Sequence, residues 1–118
     1  MENNFTPYDP TRLPKPVLGY LDAHDENRYH DACVFFTPDA TVVDDGNTYR
    51  GIEEIAAWLE RSSSEYEYSS TRIGQCLEDE ESAVVQIRLD GTFPGGTVTL
   101  RYQFELSENG ISRLAIEV

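Results

Sequence analysis

The chain has 118 residues, a length that suits one hydrophobic core and one domain. Its 22 acidic against 9 basic residues give a formal charge of −13, a field that repels phosphate backbones and anionic lipids, so neither nucleic acid nor a membrane surface is an expected partner. With 39% hydrophobic and 11% aromatic residues, the composition is that of a folded globule and not of a disordered acidic chain.

Residues 1–14 contain Pro7, Pro10 and Pro14 and read as an extended N-terminal arm, whose Phe5 and Tyr8 can dock on a protein body. Residues 15–118 are expected to form the domain. Met1 to Phe5 carries neither a basic start nor an apolar run, and no segment approaches the roughly 20 apolar residues of a membrane span. The expectation is a cytoplasmic protein without a signal peptide.

From Pro16 the pattern turns helical. Val17, Tyr20, Leu21 and His24 fall at i, i+3, i+4 and i+7, one helix face wide. Asp25 is expected to cap a second helix that carries Tyr29, Ala32, Cys33 and Phe36 and ends at Thr37 and Pro38. A short β-branched strand from Thr41 to Asp44 breaks at Asp45, Gly46 and Asn47 and resumes at Thr48 and Tyr49. A third helix begins at Ile52, with Ile55, Ala56 and Leu59 on its apolar face. Glu53 and Glu54 lie in its first turn and Arg61 near its end, as the helix dipole favours. Ser62 to Ser64 are expected to stop it.

The remainder is strand-like. Residues 66–77 alternate loosely, and an acidic turn follows from Glu78 to Glu81. Ala83, Val85, Ile87 and Leu89 share one face of the next strand. After a glycine-rich turn, Val98, Leu100, Tyr102, Phe104 and Leu106 alternate strictly with Thr97, Thr99, Arg101, Gln103 and Glu105. Asn109 and Gly110 signal a hairpin, and Leu114, Ile116 and Val118 form the closing strand. Helices first and hairpin-linked strands last give an α+β fold with segregated layers, in which three short helices pack on a curved, mainly antiparallel sheet around a conical hollow.

Three polar residues are expected to face that hollow: Tyr20 on the first helix, Asp44 on the face of Val42, and Tyr102 on the face of Leu100 and Phe104. A carboxylate in an apolar hollow is a stronger base near neutral pH, and a phenol beside it can donate to an oxygen that gains negative charge. Each residue also has a structural alternative: Tyr20 and Tyr102 as core aromatics, Asp44 as the first residue of a turn. Trp58 and His24 are expected at the pocket, with Phe36, Val42, Leu100 and Phe104 as further lining. His24, His30, Cys33 and Cys76 lack zinc-ligand spacing, so no metal site is expected. Phosphate-cradling glycine loops and nucleophile elbows are absent from the sequence, and no cofactor is expected.

Tyr20 to Ala23, the run from Phe36 to Asp44, and the run from Tyr49 to Ile55 resemble the nuclear transport factor 2-like superfamily, within it the SnoaL-like and ketosteroid isomerase-like branches. The resemblance covers nearly everything after the arm. It implies a cone-shaped, cystatin-like α+β roll, a homodimer, and a small apolar or carbonyl-bearing molecule as partner. It also implies that Asp44 is a general base and Tyr20 an oxyanion donor for isomerisation or cyclisation, a mechanism established for such isomerases. Where those enzymes place a protonated aspartic acid on the long strand, this chain has Tyr102, and residues 97–106 contain no aspartate. A non-catalytic ligand-binding or protein-interaction domain of the same fold is the alternative.

Overall fold

The stripe of Val17, Tyr20 and Leu21 winds into helix α1, Lys15–Asp25, and buries all three of those side chains together with Ala23. Removing side chains such as Val17 and Leu21 from water contributes about 1.5–3 kcal/mol each. In the computed structural model, which describes residues 5–65, 68–79, 81–92, 94–107 and 110–118, two further helices follow. They are α2, Tyr29–Cys33, and α3, Gly51–Glu65. The strands are β1, Thr6–Pro7; β2, Phe36–Asp44; β3, Asn47–Arg50; β4, Tyr68–Asp79; β5, Ser82–Gly91; β6, Thr97–Ser107; and β7, Gly110–Glu117. They form one sheet in the order β1-β4-β5-β6-β7-β2-β3. Its pairings are antiparallel except β2 with β7. The result is the α+β cone expected from the sequence.

Three local expectations need correction. Asp25 caps nothing: it closes α1, and α2 starts after Arg28 without a side-chain cap. Helix α2 ends at Cys33 instead of continuing to Pro38, so Phe36 is the first residue of a strand and not part of a helix face. Pro38 is tolerated in β2 because the β2–β7 register shifts between Phe36 and Thr41, while β3 pairs only from Thr41 onward, so no ladder bond is required of it. The serines at 62–64 do not stop α3, whose backbone runs to Glu65. The hairpin signal at Asn109 lies outside the described residues, as does Tyr66 at the start of the loosely alternating segment. The β2–β3 hairpin turns at Asp45 (φ 51°) and Gly46 (φ 78°), the pair of positive angles that a tight hairpin needs.

The helices cover one face of the sheet: α3 packs on β2 and on α2, and α1 meets α2 and β7. The arm is tied across the far edge. Thr6 and Pro7 pair with Gln75 and Gly74 of β4. The buried Gln75 side chain accepts from the Asp9 amide at 2.9 Å and donates to the Asp9 carbonyl at 3.1 Å. Arg72 of β4 points under α1. It donates to Tyr8 Oη at 2.8 Å, to Asp22 at 2.9 Å and to Asp25 at 2.9 Å.

This cluster gives a pH prediction. Burial pushes the Asp25 carboxyl up, but hydrogen bonds from His24, Arg72 and Ser70 outweigh it and hold the group below its ordinary value. A carboxyl depressed in the folded state stabilises the fold above its unfolded pKa, and the contribution is lost as pH falls through the folded value. Stability should therefore decline below about pH 4. Urea titrations across that range should show a shallower acid decline for Asp25→Asn than for the wild type. Equal declines would remove Asp25 from the account.

Candidate functional site

Strand pairing decides which side chains meet on the helix-covered inner face. Val42 and Asp44 of β2 stand beside Leu114 and Ile116 of β7, which in turn stand beside Phe104 and Tyr102 of β6. Asp44, Ile116 and Tyr102 thus form one row across three strands, with Val42, Leu114 and Phe104 in the next. At about 4.8 Å between strands, the Asp44 and Tyr102 backbones lie about 10 Å apart. A ligand or a reaching phenol can span that gap.

Helix α1 brings Tyr20 down onto this face. Its ring meets Phe36 edge-on at 5.3 Å and Phe104 at 6.0 Å, which fixes its direction. Tyr20 is only 1% exposed, and its buried hydroxyl has no hydrogen-bond partner among the described residues. Burial raises this phenol well above its ordinary pKa, and Tyr102, Tyr68 and Asp44 raise it further. Tyr102 is 8% exposed and is also raised, first by burial and then by Tyr68, Asp44 and Asp25. Both phenols are therefore neutral donors and not bases over the whole physiological range.

Asp44 sits differently from the dry recess expected of it. It is half-buried and borders an open groove of about 410 Å³ that it lines with Leu100, Ile116 and Val118. One carboxylate oxygen, Oδ2, accepts from Trp58 Nε1 at 3.0 Å. Trp58, reaching down from α3, is buried and stacks on Tyr49 with centroids 6.0 Å apart. The hydrogen bond orients the carboxylate and leaves Oδ1 without a bond to a described residue.

The remaining expected residues divide into core and rim. Phe36, Val42 and Phe104 are buried and Leu100 is half-buried, all in the layer between helices and sheet. His24 packs its ring 5.9 Å from Tyr20 and 5.8 Å from Tyr29, with Nδ1 3.8 Å from Asp25. Arg88 projects from the outer face and pairs with Asp90 at 3.2 Å. Among the described residues, no group of three or more metal-ligating side chains comes together. Sequence reasoning missed Tyr68. Its signal was parity: Tyr68, Ser70 and Arg72 alternate on β4, and the inward Ser70 donates to Asp25 of α1 at 3.0 Å.

Fold and site together define a helix-covered α+β roll with phenols and a carboxylate turned toward its interior. Solved structures share this architecture. A protein from Catenulispora acidiphila with a ketosteroid isomerase-like fold, in complex with trimethylamine, matches with a TM-score of 0.77 at 18% identity, covering 90% of this chain and 86% of that one. A Mycobacterium tuberculosis protein in complex with estradiol-17beta-hemisuccinate matches with a TM-score of 0.73 at 11% identity, covering 87% and 90%. These two likenesses concern the fold. The SnoaL-like domain model matches residues 17–110, and the chain belongs to that family. A candidate polyketide cyclase from Sinorhizobium meliloti is similar at 31% identity with a TM-score of 0.87, covering 93% of this chain and 100% of that one. Comparison with curated proteins gives no match. Among the described residues, no helix is long and apolar enough to cross a membrane.

Proposed function

We propose that the protein binds a small, largely apolar, carbonyl-bearing molecule inside the cone and moves a proton beside the carbonyl, in an isomerisation or cyclisation. The observation that carries this reading is the buried Tyr20 hydroxyl without a partner. An unpaired buried donor costs about 1–3 kcal/mol, and a ligand oxygen that accepts from it removes that cost. Asp44 is the base: with Oδ2 held by Trp58, Oδ1 takes the proton. Tyr20 and Tyr102 donate to the oxygen as charge develops on it. Phe36, Val42, Leu100 and Phe104 surround the apolar part of the ligand, while Trp58 and His24 bound the pocket. The similarity to a candidate polyketide cyclase supports this class of substrate.

A positioned base supplies about 10²–10⁴-fold in rate. One well-placed donor supplies about 10²–10³ more. The step as written needs no cofactor. The test uses benzylacetone, a neutral aromatic ketone, and follows exchange of its α-hydrogens in D₂O by proton NMR. The wild type should accelerate exchange, and Asp44→Asn should lose about 100-fold or more while still binding the ketone. Undiminished exchange in that variant would remove the base assignment. A second reading, a binding domain without chemistry, is favoured by the Trp58 bond that occupies one Asp44 oxygen. It predicts saturable benzylacetone binding with exchange at the buffer rate.

A further inference from the structure

Asp44 takes its direction from a single bond. Among the described residues, Trp58 Nε1 at 3.0 Å is the hydrogen-bond partner of a carboxylate that stands half-buried beside an open groove. Water in the groove competes for such a carboxylate, so the direction of the indole N–H decides where Oδ1 points. Trp58 comes from α3 and Asp44 from the end of β2. Their alignment therefore depends on what holds α3 against the β2–β3 hairpin.

Tyr49 supplies that hold. It lies on β3 directly opposite Val42, two residues along from the pair of Asn47 and Asp44, and so shares the inner face of the sheet. Among the described residues β3 is the edge of the sheet and pairs with β2 alone, so no outer strand steadies it. Two side chains one turn apart on α3 grip the Tyr49 ring instead. Trp58 stacks on it with centroids 6.0 Å apart and planes inclined by 29°. The Arg61 guanidinium stands 5.5 Å from the same centroid and donates to the Tyr49 hydroxyl at 3.1 Å. An unbroken series of contacts thus runs from Arg61 through Tyr49 and Trp58 to Asp44.

We propose that Tyr49, clasped by Arg61, is a positioning residue for Asp44: its ring holds the Trp58 indole in the plane from which the N–H reaches the carboxylate. This rests on the proposed function for the role of Asp44 as base. Tyr49 acts through Trp58 and not on the ligand. A misaligned base slows the proton-transfer step and leaves ligand affinity nearly intact. Loss of the stack should therefore lower exchange at saturating benzylacetone by about 10–100-fold, with the dissociation constant held within about twofold.

The chain has 1 tryptophan, so the Trp58 indole N–H gives a single cross-peak in proton–nitrogen correlation spectra. Asp44→Asn defines the signature of the lost charged bond, an upfield shift of that peak with faster exchange of the indole proton with water. Tyr49→Leu should reproduce both, with indole exchange about tenfold faster than in the wild type. Arg61→Gln should move the peak part of the way, and because Arg61 is exposed this variant decides the matter where Tyr49→Leu does not fold. Tyr49→Phe keeps the ring and should lose no more than about threefold in ketone exchange. An unmoved peak in Arg61→Gln or in folded Tyr49→Leu overturns the inference. So does a Tyr49→Phe protein as impaired as Tyr49→Leu, or a benzylacetone affinity that falls in step with the rate. The two claims fail separately. A peak that follows Tyr49 and Arg61, in a wild type that does not accelerate ketone exchange, sinks the proton-transfer reading alone. Accelerated exchange that Asp44→Asn abolishes, with a peak that ignores Tyr49 and Arg61, sinks the present one alone.

Discussion

Tyr20→Phe is expected to make the protein more stable and less active in one step. The substitution keeps the ring that packs against Phe36 and Phe104 and deletes only a hydroxyl that is buried without a partner. Removing an unsatisfied buried donor should stabilise the ligand-free protein by about 1–2 kcal/mol. For a domain of this size that is a rise in Tm of about 5 °C or more. On the proposed mechanism the same hydroxyl donates to the developing oxyanion, so benzylacetone exchange should fall by about 10²–10³-fold. Chemical denaturation and exchange on one sample check both limbs. A less stable variant would show that the hydroxyl has a partner in solution. An equally active one would show that it does not face the reacting oxygen.

Gly110→Ala should be strongly destabilising. Gly110 opens β7 with φ 141°, a backbone angle that L side chains rarely adopt. An added Cβ would lie 2.5 Å from the Phe35 carbonyl oxygen and 3.2 Å from its carbon. That carbonyl cannot retreat freely, because it accepts from the Ile111 amide at 2.8 Å. The contact joins the end of the α2–β2 connection to the start of β7, where the sheet's parallel pairing begins with Phe36 beside Ile111. Strain plus a weakened strand start should cost about 2–4 kcal/mol. It should appear as a lower urea midpoint with an unchanged slope. A loss under about 0.5 kcal/mol would mean that the junction relaxes without cost.

The strands were legible where one face is buried and the other wet. β6 alternates without exception from Thr97 to Leu106, so its inward set, including Tyr102 and Phe104, followed from parity alone. The helix stripes were equally clear at Val17, Tyr20 and Leu21. Boundaries were less legible. Phe36 has helical spacing from Tyr29, Ala32 and Cys33, yet pairing with Ile111 of β7, distant in sequence, draws it into a strand. The serines near the end of α3 favour termination locally, yet the helix backbone runs on to Glu65. Arg72 and Tyr68 were not placed because their segment alternates weakly, and only α1 lying across β4 gives them partners or neighbours.

What the amino-acid order determines by itself is periodicity: which residues share a helix stripe or a strand face, and hence the α+β class and the inward direction of Asp44, Tyr20 and Tyr102. Periodicity is local, set by 3.6 residues per helical turn and two per strand repeat, so it survives without knowledge of the rest of the chain. What the tertiary structure alone decides is depth and partnership. The parallel pairing of β2 with β7 puts Asp44 beside an open groove, bonded to Trp58, and the descent of α1 leaves the Tyr20 hydroxyl dry and unpaired. Solvation and hydrogen bonding depend on atoms brought together from far apart in the chain, and no spacing rule within one segment encodes them.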